Sequence, residues 1–153
     1  MVKLLRLFSI LLELLDKNQL VEDHVYDDKG EDHLRYMYYG ARTPEENEKI
    51  RGLYTPGHTD LGNITLLLRQ PVAALRILNN GGDWKWVKSQ DATITINTCD
   101  ALTALTSDYI KSSVHRVHTP PAHHRSTRSL VLCTVSLHLV YNLLQLDLTF
   151  HKT

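Results

Sequence analysis

Two histidines and one aspartate carry the chemistry that this sequence offers. His58-Thr59-Asp60 sets an imidazole and a carboxylate two residues apart, and His115 lies far downstream in Ser113-Val114-His115-Arg116-Val117. Two imidazoles and one carboxylate can occupy one face of a metal ion and leave its other positions open. That donor set suits non-haem Fe(II) used with oxygen. The i, i+2 spacing is physically sensible, because side chains two apart on an extended strand point to the same side. His115 then closes the site from a neighbouring strand of a small barrel. By itself a His-x-Asp pair discriminates poorly in a chain with nine histidines. Taken in isolation, a turn histidine beside a capping aspartate is the better explanation.

The elements that must position these residues are short. Leu34 to Tyr39 is rich in strand formers. Thr43-Pro44-Glu45-Glu46 reads as an N-cap, a proline at the first helical position and a glutamate at the third, which predicts a brief helix through Ile50. Ile64 to Leu68 and Ala74 to Leu78 read as buried strands. Asn79-Asn80-Gly81-Gly82 is a turn signal that joins the second of these to Trp84-Lys85-Trp86-Val87 as a hairpin. Thr93 to Asn97 alternates with period two, and Thr134 to Val140 alternates enough to be a strand. Short strands punctuated by glycine, proline and asparagine indicate a sandwich or barrel in a single domain.

The leucine-rich start, Val2 to Leu15, reads as an amphipathic helix. At 100° per residue Lys3, Arg6, Ser9, Glu13, Asp16 and Lys17 share one arc, and Leu4, Leu7, Leu11, Leu14 and Leu15 share the other. Its charges and length argue against a secretory leader or a bilayer span. An ordinary core helix is the expectation.

Composition sets further bounds. The 153 residues suffice for one core. Apolar residues make up 42% and charged residues 22%, both ordinary for a globular chain. The formal net charge is zero, which gives no electrostatic basis for a nucleic-acid or anionic-membrane partner. The two cysteines, Cys99 and Cys133, form no Cys-x-x-Cys pair, so a reduced, cytoplasmic chain is expected. His118, His123 and His124 fit no zinc spacing with His115 and read as a solvated loop. Trp84 and Trp86 read as packing groups, and Leu66 and Leu68 as pocket or core residues.

Several runs, in order, carry a resemblance. They are Glu31 to Tyr39, Pro56 to Gly62, Thr65 to Leu68, Trp84 to Val87, Ile96 to Leu102, Tyr109 to Val117, Pro120-Pro121 and Arg128 to Leu130. Together they resemble the C-terminal catalytic half of the iron(II)- and 2-oxoglutarate-dependent dioxygenases of the isopenicillin N synthase-like family, with a fungal flavour. The resemblance spans roughly residues 2 to 132. It leaves 133–153 as an atypical tail and implies that most of the family's N-terminal region is missing.

On this resemblance the fold is mainly β, a double-stranded β-helix (jelly-roll) with one or two flanking helices, and incomplete. His58, Asp60 and His115 are implied as the iron ligands, with 2-oxoglutarate and dioxygen as co-substrates. Arg128 is implied as the bidentate partner of the 2-oxoglutarate carboxylate, with Arg125 as a competitor. Tyr39 is implied as a hydroxyl contact to the same molecule. No catalytic residue beyond the metal ligands is implied. The implied reaction is hydroxylation or desaturation of a small organic metabolite, with succinate and carbon dioxide as co-products. The alternatives are an inactive remnant of such an enzyme and a jelly-roll ligand-binding module without iron.

The sequence also departs from the family. Met37 and Gly40 stand where asparagine and proline are usual, and Leu130 where a hydroxyl residue or glycine follows the arginine. His123-His124 replace an acidic-polar pair. Cys99 stands for a glycine, which strains the backbone if that position needs positive φ; it otherwise reads as a small buried hydrophobe.

Overall fold

The computed structural model describes residues 2–22, 32–68, 72–88 and 90–120, and the backbone of 130–137. In chain order the elements are α1 (Val2–Leu11), α2 (Gln19–Glu22), β1 (His33–Tyr39), α3 (Pro44–Lys49), β2 (Leu53–His58), β3 (Ile64–Leu68), β4 (Leu75–Leu78), β5 (Trp84–Trp86), β6 (Ile94–Thr98), α4 (Asp100–Leu105), β7 (His115–His118) and β8 (Leu130–Leu137). The strands form two four-stranded sheets, ordered β1-β8-β3-β6 and β2-β7-β4-β5. Every pairing is antiparallel. Two such sheets face to face make the jelly-roll expected from the sequence.

Alternation along the strands divides two cores. Leu67 of β3 packs between the sheets with Met37 and Tyr39 of β1, Tyr54 of β2, Val72, Ala74 and Val117. Its neighbours Ile64 and Leu66 belong to the other core, where Leu5, Leu12, Leu14, Leu20 and Leu102 cover the outside of the first sheet. Adjacent residues on a strand point to opposite faces, so one strand serves both cores.

Local signals set several elements as expected. Thr43 accepts from the Glu46 backbone N–H at 3.2 Å, and the Glu46 carboxylate accepts from the Thr43 N–H at 2.9 Å, a complete capping box before Pro44. The β4–β5 hairpin pairs Leu78 with Trp84. Gly82 sits at φ 82°, a conformation that glycine adopts without a Cβ penalty.

The first helix differs from its expectation in length and in facing. It ends at Leu11, because Glu13 turns to φ 53° and the Leu14 N–H closes back to the Ser9 carbonyl at 3.0 Å. The buried stripe runs through Leu5, Ser9 and Leu12, whereas Leu7 and Leu11 are 61% and 60% exposed. Leucines on both sides of the helix let tertiary packing choose the face. Ser9 can be buried because its hydroxyl donates to the Leu5 carbonyl at 3.1 Å.

The last strand also differs. It begins at Leu130, pairs with all seven residues of β1 and four of β3, and so starts before the expected Thr134. Cys99 takes φ −120°, so no positive-φ strain arises at that position.

Candidate metal centre

Strand pairing brings the two histidines together. His58 closes β2 and His115 opens β7, and the two are paired residues of that antiparallel ladder. Their rings lie 4.4 Å apart, tilted by 52°. The two side chains are held by the same device. His58 Nδ1 lies 2.9 Å from the Pro56 carbonyl, and His115 Nδ1 lies 3.0 Å from the Ser113 carbonyl. A carbonyl can only accept, so in each ring Nδ1 carries a proton, and in the neutral ring Nε2 then keeps its lone pair. This is the tautomer a metal needs, with the backbone contact that usually fixes it.

Asp60 arrives differently. The strand ends at His58, so the aspartate does not share an extended strand with it; Asp60 lies in the loop that leads to β3. That loop is laced to the start of α4. The Asp100 N–H donates to the Asp60 carbonyl at 2.9 Å, and the Thr59 hydroxyl donates to the Asp100 carboxylate at 2.8 Å. Asp60 Oδ1 is thereby set 3.7 Å from His58 Nε2, and Oδ2 is set 3.7 Å from His115 Nε2.

One ligand atom from each residue lies within 4.8 Å of the others, and this is the one such triple among the described residues. The chemistry of the set fits a divalent cation: two neutral nitrogen donors and one anionic oxygen converge from three backbone positions. Contraction of about 1–2 Å brings donors at these separations to the spacing set by bonds of about 2 Å. The site is open on one side, with the His58 side chain 40% exposed and that of His115 14%.

Other residues singled out by the sequence fall into place around it. The Tyr39 ring packs against Tyr54 at 5.1 Å, and its hydroxyl meets Thr55 Oγ1 at 3.1 Å and Met37 Sδ at 3.5 Å. Arg128, Arg125, Ser129, His123 and His124 lie outside the described residues. His118 turns to the Thr119 carbonyl and the edge of Trp86, away from any metal group among the described residues.

The tryptophans are packing groups, as expected. Arg116 stacks on Trp84 at 3.9 Å and Arg76 on Trp86 at 4.9 Å. Burial, and then the nearby Arg76, lower the pKa of Arg116. A Cβ on Gly57 would meet the Trp84 ring at 3.1 Å, so a side chain there would press the ring aside by a few tenths of an ångström.

Cys99 is a buried thiol. Burial pushes its pKa up to about 11, with the Thr65 hydroxyl opposing and the Asp60 charge reinforcing the shift. It is a protonated small residue at neutral pH rather than a nucleophile. The sequence reading missed the partners of the Asp60 carboxylate, Thr65 and Asn97. Both lie within motif runs, but neither charge nor spacing flagged them.

Comparison with known proteins gives the same picture. The model of the 2OG-Fe(II) oxygenase superfamily matches residues 30–134. A "2-oxoglutarate-dependent dioxygenase" of Didymella fabae is 36% identical over 85 residues, which are 55% of this chain and 26% of that protein. Clavatol oxidase of Penicillium crustosum is 32% identical over 117 residues, 73% of this chain and 35% of the relative. The chain therefore spans about a quarter to a third of these curated relatives.

Among solved structures, a full-length Neurospora crassa protein in complex with alpha-KG and thymine superposes with a TM-score of 0.78 and 27% identity, covering 90% of this chain and 40% of that one. A Caulobacter crescentus protein described as a putative 2OG-Fe(II) oxygenase superposes at 0.74 with 28% identity, covering 90% and 41%. A jelly-roll that sets two histidines and an aspartate at the end of one ladder, matched by the family model over most of its length, places this chain in the 2OG-Fe(II) oxygenase superfamily.

Proposed function

We propose that this chain binds Fe(II) through His58 Nε2, His115 Nε2 and Asp60, and uses 2-oxoglutarate and dioxygen to hydroxylate or desaturate a small organic metabolite. The observation that carries this reading is the convergence of the three donors, with both histidines in the metal-binding tautomer. Bound iron would supply the oxidising chemistry once 2-oxoglutarate and dioxygen occupy its open positions. The chain's own residues orient the ligands and leave the His58 side open for entry.

Tyr39 and Arg128 are the proposed contacts to 2-oxoglutarate. The Tyr39 and Thr55 hydroxyls meet each other, and one of the two O–H groups can serve as donor to the other. The Tyr39 O–H donates to Met37 Sδ at 3.5 Å, a weak acceptor that a carboxylate or keto oxygen would replace. Leu130 pairs with Tyr39 across β1 and β8, and Arg128 stands two positions before it in the sequence. Arg128→Leu should weaken 2-oxoglutarate binding in a calorimetric titration by about 2–4 kcal/mol, the cost of leaving a buried carboxylate unpaired. Arg125→Leu should leave it nearly unchanged. Equal losses would mean that the arginine is wrongly chosen.

The decisive experiment is Fe(II)-dependent formation of succinate from 2-oxoglutarate under air. Parent protein should form it, and Asp60→Ala should not. A second reading, iron binding without turnover, is favoured by apolar surface left uncovered. Leu7, Ile10, Leu11 and Leu15 near the start of the chain are exposed, as are Leu34, Tyr36 and Tyr38 on β1. Iron binding with no succinate would select it. No described helix is long and apolar enough to cross a membrane. The free, buried Cys99 favours a reducing, cytoplasmic setting.

A further inference from the structure

We infer that Thr65 and Asn97 are positioning residues that reserve Asp60 Oδ1 for the metal and hold the carboxylate to one-oxygen binding. The inference rests on the iron reading above and goes beyond it. Thr65 Oγ1 donates to Asp60 Oδ2 at 2.9 Å, and Asn97 Nδ2 donates to the same oxygen at 3.0 Å. A carboxylate oxygen has two lone pairs in its plane, so these two donors saturate Oδ2. Oδ1 faces His58 Nε2 at 3.7 Å and takes neither of these donors, whereas Oδ2, which lies 3.7 Å from His115 Nε2, takes both.

The donor directions are forced. A carboxylate can only accept, which fixes the Asn97 amide with its nitrogen toward Asp60. Thr65 has a single O–H, and it goes to Asp60. The Cys99 sulfur lies 3.3 Å from Thr65 Oγ1, and its own S–H has the Asn97 carbonyl as acceptor at 3.5 Å. Thr65 and Cys99 are both buried. Thr65 and Asn97 thus converge on Asp60 Oδ2, with the buried Cys99 sulfur in contact with both.

The consequence is a choice of binding mode. An unrestrained carboxylate on a loop can present both oxygens to a cation and fill two positions. With Oδ2 saturated, Asp60 fills one. That leaves a further position for the bidentate co-substrate and for dioxygen. It also holds the carboxylate in place before metal arrives, which raises affinity by removing an ordering cost.

The test is anaerobic calorimetric titration of the chain with Fe(II), alongside thermal melts of each metal-free form in chelator. Thr65→Val, which keeps the shape and removes the hydroxyl, and Asn97→Ala should each weaken Fe(II) binding by about 10–100-fold, the usual range for a lost partner of a metal ligand. Thr65→Ser, which restores the hydroxyl, should stay within about threefold of the parent by the same reasoning. If the buried Thr65→Val fails to fold, the half-buried Asn97→Ala carries the test. Variants that fold and bind iron as tightly as the parent overturn the inference. So does a loss in Thr65→Ser equal to that in Thr65→Val, which would assign the effect to the methyl group. A parent that binds no Fe(II) overturns the iron reading itself, so the two failures are distinct.

Discussion

The two halves of the candidate metal centre are built by opposite means. His58 and His115 are held by main chain: each ring leans on the carbonyl two residues before it, and ladder pairing sets the rings side by side. Asp60 is held by side chains, Thr65 five positions on and Asn97 37 positions on, and by a loop tied to the start of α4. A backbone device survives most substitutions, because every residue has a carbonyl. A side-chain device depends on residue type at particular distant positions. The histidine half should therefore tolerate changes nearby, and the aspartate half should not.

The largest expected effect removes the anionic ligand. Fe(II) added anaerobically at about 100 times its dissociation constant stabilises a binding protein by about 2.7 kcal/mol through linkage. The parent should show a rise in melting temperature on that scale, and Asp60→Ala should show none. An unchanged melting temperature in the parent with iron would remove the metal centre altogether.

The next effect tests, through pH, the burial of Cys99 behind Asp60 and its two donors. The Cys99 thiol is raised from near 9 to about 11, mainly by burial. Its neutral form is favoured in the folded chain, so the contribution is fully present below pH 9 and is lost as pH rises toward 11. A two-unit shift is worth about 2–3 kcal/mol. Denaturant unfolding at about pH 8 and about pH 10.5, on either side of the ordinary thiol range, should show the parent losing more stability over that interval than Cys99→Ala. Parallel losses in the two proteins would contradict burial of the thiol.

A smaller effect probes the packing beneath the histidine half. Gly57→Ala forces a Cβ to within 3.1 Å of the Trp84 ring. It should cost about 1–3 kcal/mol of stability by overpacking while leaving iron affinity nearly unchanged, since the His58 contact is to the Pro56 carbonyl. A loss of affinity larger than the loss of stability would show that Trp84 positions the metal ligand. The smallest effect is Ser113→Ala, which keeps the carbonyl that His115 uses. Its Fe(II) affinity should match the parent's, and a loss of about tenfold, the low end for a lost partner of a metal ligand, would show that the serine side chain supports the histidine.

This contrast also explains what was legible in the sequence. The capping box at Thr43 to Glu46, the Asn79 to Gly82 turn, the apolar run of β3 and the alternation of β6 depend on residues within a few positions of one another, and each formed within one residue of where the pattern put it. The pairing of His58 with His115 needed only the knowledge that two strands meet. The first helix was misjudged in its facing. Leu4, Leu5, Leu7, Leu11, Leu12, Leu14 and Leu15 surround its axis, so periodicity alone could not select a stripe. The sheet beneath it took Leu5, Ser9 and Leu12. His58 and Asp60 were expected on one extended strand, but the strand stops at His58 and the loop delivers the carboxylate.

By itself the sequence determined the kinds of element and a sandwich or barrel of short strands, because those follow from local propensity; the jelly-roll class and the ligand set followed from the resemblance that its ordered runs carry. Tertiary structure alone decided which carboxylate oxygen is saturated, which hydroxyl donates to it and which helix face is buried. Those are contacts between residues far apart in the chain. Their partners, a threonine, an asparagine and a cysteine, are too common to signal a role until the fold places them in hydrogen-bonding contact with one another and with Asp60.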